Sequence, residues 1–208
     1  MSGGPPELGA SEVEELLAAL SARLEAEGTE AHLFIVGGAA MALAYDRDRV
    51  TRDVDAIFEP AVAVRRIVAD LGMERDLEPD WLNDAAKGFM PGDDPGRVVV
   101  FESESLLVEV PSAGYLLAMK LHASRDEGDL DDAVVLFREL ELKSGNDALD
   151  VLTSHYPLDR LLPRHTHLAE EVARRAQTGN PRRQAKADEL LHRAARRPES
   201  DEGRGLGR

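Results

Sequence analysis

The stretch LFIVGGAAMALAYDRDRVTRDVDAIF (residues 33–58) constrains the fold more than any other part of this chain. An apolar run over residues 32–36 has the length of a buried strand and ends directly on Gly37-Gly38. Residues 38–45 read as a short helix starting on the glycines. A second strand follows over residues 53–58, and Pro60 stops it. Asp53 and Asp55 stand one residue apart on that second strand. Residues i and i+2 of a strand point to the same face, roughly 6.6–7 Å apart along the backbone, so both carboxylates aim one way. Two anions held that close raise one pKa unless a cation lies between them. Hard oxygen ligands at this spacing suit Mg2+, which keeps some waters and takes the rest of its shell from substrate phosphates. A strand that breaks into glycines and turns at once into a helix offers free backbone N–H groups to phosphate, and the missing side chains permit close approach. Each feature alone also has a structural reading. The aspartates could form salt bridges with Arg47, Arg49 or Arg52, and Gly-Gly could be a tight turn with a positive φ. Together they describe a nucleoside triphosphate site.

The remaining pattern places this pair of strands in an α/β (α+β) fold. Residues 1–10 are rich in Gly and Pro and are expected to be disordered. Ser11 and Glu14 have capping-box spacing ahead of a stripe of Val13, Leu16, Leu17, Leu20 and Leu24, and Gly28 ends that helix. Residues 62–71 read as a helix with Gly72 as its cap, and a short amphipathic helix is expected around Trp81. Residues 97–102 and 106–110 read as a strand hairpin. From residue 112 the period is helical, with helices over 112–124, 128–142, 146–154, 163–177 and 183–195. The expected organisation is a catalytic domain over residues 11–142, a C-terminal helical segment over 143–195, and a disordered tail over 196–208. The fold class is thus a small mixed sheet flanked by helices, with a helical C-terminal half.

Composition narrows the chemistry. The chain has no cysteine, which excludes disulfides, thiolate metal sites and a cysteine nucleophile. Its 1 Trp and 3 Tyr make an aromatic base-stacking platform unexpected. No apolar run approaches the roughly 20 residues of a membrane span, and the first residues carry no secretory pattern, so a cytoplasmic protein is expected. The net charge of −15 argues against nucleic-acid binding by the whole surface. Residues 164–208, however, carry 11 basic against 7 acidic side chains, leaving 14 against 33 for the rest. That basic segment is either a solvated helix and tail, or a contact for RNA or for the protein's own acidic face.

The motif GGAAMALAYDRDRVTRDVDAIF resembles the signature of the polymerase-β-like nucleotidyltransferases: Gly-Gly or Gly-Ser, a short helix, then Asp-x-Asp with hydrophobic flanks. It is most similar to the small prokaryotic members, including AbiEii-type toxins of toxin–antitoxin systems, whose Asp-x-Asp follows a Thr as in TRDVD. The resemblance implies a third acidic ligand on a later strand, best matched by Glu109 in LLVEV; its alternative is a charge on a solvent-facing edge. The segment YLLAMKLHASRDEGDLDDAVVL (115–136) resembles the helical motif of the same enzymes. That implies Lys120 reaching the triphosphate, while Arg125, Asp129 and Asp132 brace the next helix or assist the acceptor. Helix capping and salt bridging by those three is the alternative. The implied activity is metal-dependent transfer of a nucleoside monophosphate from an NTP to an acceptor hydroxyl. Asp53, Asp55 and Glu109 would hold Mg2+ (or Mn2+), and Gly37 and Gly38 would cradle the phosphates. A tRNA 3′ end or a cognate antitoxin or toxin protein is the expected partner, with no membrane. RNA phosphates would meet Arg174, Arg175, Arg182, Arg183 and Lys186.

Two other classes stand beside this one. A non-catalytic antitoxin or interaction module would keep the fold and use Asp53 and Asp55 in salt bridges. A phosphohydrolase of the haloacid-dehalogenase type would want Thr or Val where Ile57 stands, and would leave the glycines unexplained. There is no Walker A motif. His165 and His167 point about 200° apart on a helix and cannot chelate from one face, and Pro163 interrupts the Arg160 to His165 spacing of a helical ribonuclease.

Overall fold

The computed structural model describes residues 7–124 and 127–178 of the chain. The first helix, α1 (Ala10–Ala26), buries one stripe of Val13, Leu16, Leu17, Leu20 and Leu24. Its cap is Gly9, whose backbone N–H donates to Glu12 Oε2 at 3.1 Å, so Ser11 lies inside the helix instead of capping it. The chain is already anchored ahead of that cap, where disorder was expected. Leu8 is buried and pairs with Thr51 through two backbone hydrogen bonds, 2.7 and 2.9 Å.

Five strands follow: β1 (Ala31–Ile35), β2 (Val54–Glu59), β3 (Leu82–Asn83), β4 (Val98–Glu102) and β5 (Leu106–Val110). They form one mixed sheet in the order β3-β2-β1-β5-β4. β1 is antiparallel to β2 and parallel to β5. Alternation divides the sheet cleanly. Leu33, Ile35, Val54, Ala56, Phe58, Leu106, Val108 and Val110 share one face and join the core with α1 and with α3 (Ala61–Arg75). His32, Phe34, Asp55, Ile57 and Glu109 share the other, half-open face.

Trp81 fixes the edge of the sheet. It is 1% exposed, and its Nε1 donates to Val68 O on α3 at 3.0 Å. The expected helix at this position is instead the short strand β3 followed by a 3-10 turn (Ala85–Phe89), because Trp81 is needed inside and its carbonyl accepts from Val54 N at 2.6 Å. Gly72 likewise does not cap α3, which runs on to Arg75 and closes at Asp76 with φ 56°. A side chain on Gly72 would meet Glu78 O at 3.0 Å and the Trp81 ring at 3.3 Å, so the glycine makes room for the indole.

The C-terminal half is α4 (Ala113–Ala123), α5 (Glu127–Glu139), α6 (Gly145–His155) and α7 (Pro163–Thr178). These helices pack on one another, α4 against α5 and α6, and α7 against α5 and α6. α4 meets the open sheet face through Tyr115, whose ring stands edge-on to Phe34 at 6.2 Å. His122 stacks on Tyr156 at 4.1 Å with His165 beside it, 5.4 Å from His122. The helix expected over residues 183–195 lies outside the described residues. No described helix is long and apolar enough to cross a membrane.

Two outcomes follow from this packing. Trp81→Ala should cost about 3–5 kcal/mol, the range for emptying a buried aromatic site; urea denaturation measures it, and an unchanged midpoint would contradict the packing described. Burial, with Arg164 adding, holds His122 and His165 below the ordinary 6.5. The unfolded chain therefore takes up protons first, so stability is fully present above about pH 6.5 and falls as pH drops below it. His122→Phe keeps the ring on Tyr156 and should lose less stability between pH 7.5 and 5.5 than the wild type.

Candidate active site

The site begins where β1 ends. Val36 N donates to Asp55 O at 2.8 Å, extending the β1–β2 ladder by one residue and bringing the glycine turn against Asp55. Gly37 then adopts φ 67°, which only glycine takes without strain. A Cβ there would lie 3.2 Å from Asp55 Oδ2. Gly38 is closed in by the opposite wall: its Cβ would stand 2.8 Å from Thr51 Oγ1 and 3.1 Å from Thr51 Cβ. The expected helix after the glycines is present as α2 (Gly37–Ala40) running into one π-helical turn, Met41–Tyr45. Tyr45 anchors that turn by donating to Pro111 O at 2.5 Å, and burial pushes its hydroxyl up to about 12.

A pocket of about 290 Å³ opens at this turn. Gly37, Gly38, Asp55, Lys120 and Asp129 line it together with Arg49 and Thr51, and Ala85, Ala86 and Phe89 form another wall. Five of the residues expected at the site therefore meet in one cavity, although they come from β1–α2, β2, α4 and α5. Lys120 is buried to 8% exposure; its Nζ reaches Asp129 Oδ1 at 2.7 Å and Asp132 Oδ2 at 2.8 Å.

The others stand elsewhere. Asp53 precedes β2 by one residue and is not part of the pocket lining. Its carbonyl accepts from Thr51 Oγ1 at 3.0 Å, and its Oδ2 from Asn83 Nδ2 at 3.4 Å. Glu109, expected to complete the carboxylate set, is not brought to the aspartates. Strand register is the reason: Glu109 is level with Phe34, and Phe34 with Ile57, so Glu109 sits two strands and two residues away from Asp55. That is roughly 10 Å across the sheet and roughly 7 Å along it. Its carboxylate instead meets His32 Nε2 at 2.7 Å and Arg97 at 3.8 Å. Among the described residues no group of three or more His, Cys, Asp or Glu could hold a metal ion. Arg125 lies outside the described residues, as do Arg182, Arg183 and Lys186. Arg174 pairs with Glu171, and Arg175 with Glu171 and Glu127.

Arg49 and Thr51 were not singled out as site residues from the sequence, though both lie inside the quoted motif. The partner of Arg49 is Asp132, 83 residues away, and no local spacing signals that pairing. Arg47 pairs with Glu14.

A family profile described as nucleotidyltransferase of unknown function (DUF6036) matches residues 12–134, and the chain belongs to that family. The match runs from α1 through the sheet into α5, so it spans the glycine turn, both aspartates and Lys120. No curated protein matches the chain. Among solved structures, the crystal structure of an antigenic nucleotidyltransferase-like protein from Paracoccidioides brasiliensis is similar over 73% of this chain and 92% of that chain, at 15% identity and a TM-score of 0.35.

The glycine contacts give a direct expectation. Gly38→Ala must displace Thr51 Cβ as well as its hydroxyl, and overpacking of this kind costs about 1–3 kcal/mol. Thermal melts of Gly38→Ala and of a Gly38→Ala/Thr51→Ala double variant measure it, with partial recovery expected in the second.

Proposed function

We propose that the protein transfers a nucleoside monophosphate from an NTP to an acceptor hydroxyl. The observation that carries this reading is the single pocket gathering Gly37, Gly38, Asp55 and Lys120. The donor chemistry suits a hard divalent cation: the carboxylate of Asp55 stands beside a turn that a Cβ would crowd, leaving room for phosphate oxygens to share the ion's shell, and Asp53 lies two residues before it, outside the pocket lining. Asp53 and Asp55 would hold Mg2+ (or Mn2+), which when bound neutralises charge on the triphosphate and lowers the pKa of the acceptor hydroxyl. Glu109 has no part in this set.

The chain's own groups do the rest. Gly37 and Gly38 let the phosphate chain lie against the backbone. Lys120 has three N–H donors and spends two on Asp129 and Asp132, so its third is available to a phosphate oxygen. Ala85, Ala86 and Phe89 give one side of the pocket an apolar wall. The acceptor oxygen bonds to the α-phosphorus as the bond to the pyrophosphate oxygen breaks. Pyrophosphate leaves and the hydroxyl proton passes to water.

The acceptor in this reading is a tRNA 3′ end or a side chain of a partner protein, as in a cytoplasmic toxin–antitoxin pair. The basic segment after residue 163 favours RNA, and the acidic remainder favours a protein. A second reading, a catalytically degenerate interaction module, draws support from the engagement of Glu109 with His32 and Arg97.

The test is incubation with each α-³²P-labelled NTP, Mg2+, total tRNA and cell lysate, beside Asp53→Asn and Asp55→Asn. Label transferred by the wild type and lost by at least 100-fold in both variants is expected, and the size of the labelled species names the acceptor. Equal transfer by either variant would refute the assignment. Absence of both label and metal-dependent NTP binding would favour the degenerate module.

A further inference from the structure

We propose that Arg49 grips the phosphate chain of the nucleotide, and that the buried carboxylate of Asp132 aims it; the inference rests on the nucleotidyl-transfer reading above. Arg49 lies in the loop before β2 and lines the pocket with Gly38 and Lys120. Its Nε donates to both oxygens of Asp132, at 3.0 and 3.3 Å, and its Nη1 to Val50 O. Asp132 is 0% exposed. The guanidinium is thus pinned along two of its edges. Nη2 has no partner among the described residues, and it lies 3.6 Å from where a Cβ on Gly38 would stand, beside the glycine turn.

A guanidinium is a rigid planar fork, so fixing Nε and Nη1 fixes the direction of the Nη2 hydrogens. They face the space that the two glycines keep open. Asp132 also takes Lys120 through its second oxygen, so one carboxylate orients two cations that arrive from different parts of the chain. A structural ion pair needs only one cation per carboxylate. Here a second is recruited, and each cation keeps a donor for the pocket.

Charge counting sharpens the point. Arg49 and Lys120 are balanced by Asp129 and Asp132, so the four together carry no net charge. Attraction of a polyanion by bulk positive potential is therefore not what this cluster provides. It provides donors fixed in direction, matched to phosphate oxygens. Arg49 is a binding residue in this scheme and Asp132 a positioning residue.

The experiment is equilibrium binding by calorimetry, in Mg2+, of tripolyphosphate, ATP and AMP to the full-length protein. Arg49→Ala should weaken tripolyphosphate and ATP at least tenfold and AMP no more than threefold. Arg49→Lys keeps the charge and loses the fork, so it should show the same pattern, and it carries the test if Arg49→Ala fails to fold. Asp132→Asn is the decisive variant. It makes the cluster more positive, so a site working by bulk charge would bind tripolyphosphate more tightly; a site working by aim should bind it several-fold more weakly. A rise in affinity overturns the proposal, as does an unchanged affinity in Arg49→Lys or an equal loss for all three ligands. Arg49-dependent tripolyphosphate binding without label transfer would leave this inference standing and sink the transfer reading. Label transfer with Arg49-independent binding would do the reverse.

Discussion

Asp132 is a carboxylate wholly removed from water, and that single fact organises the contact between the two halves of the molecule. An unpaired charge at such a place costs several kcal/mol, and removing one partner of a buried pair is correspondingly damaging. The chain meets the demand with Arg49 from the loop before β2 and Lys120 from α4, while Asp132 itself is on α5. Three segments distant in sequence are thereby held to one point. The loop that leads into the aspartates cannot drift from the helices without exposing or orphaning that charge. The helical half is therefore part of the site and not an appendage to it. α7, which lies beyond the family match, reaches Glu127, the first residue of α5, through Arg175 and so braces that helix from outside the pocket.

The second constraint is strand register. Because side chains alternate, the β1–β2 pairing that sets Val36 against Asp55 decides at once which residues meet the glycine turn. The same rule, applied through β1 to β5, sends Glu109 to a different level of the open face. Register therefore unites Gly37 with Asp55 and separates Glu109 from both. The carboxylate of Glu109 is instead bound up with His32 and Arg97.

Much of this was legible in the sequence, for identifiable reasons. The strands over residues 33–58 are short apolar runs bounded by Gly and Pro, and the glycine turn is a local signal that folding sets against Asp55, while Asp53 falls one residue before β2 and outside the pocket lining. Helices α4 to α7 announce themselves through apolar period. The failures were nonlocal. Trp81 reads as part of an amphipathic helix until its carbonyl is needed by Val54 and its ring by the Gly72 niche. Glu109 is a lone charge in an apolar strand whichever neighbour it has, and only the β1–β5 register says which. Arg49 is one of three arginines in the charged stretch 46–53, and its assignment depends on Asp132, which no spacing could connect to it.

The different burial of the residues around the pocket has a consequence for related chains. Arg49, Lys120 and Asp132 serve the core, so a descendant that had lost chemistry would still be held to them by the need to fold. Asp53 is different: it is exposed, and its side chain is met by Asn83 at a long 3.4 Å. Its replacement carries little structural penalty. Retention of the basic pair in a relative therefore says that the architecture persists, while retention of an aspartate at position 53 cannot be put down to folding and calls for another reason, which the proposed transfer would supply.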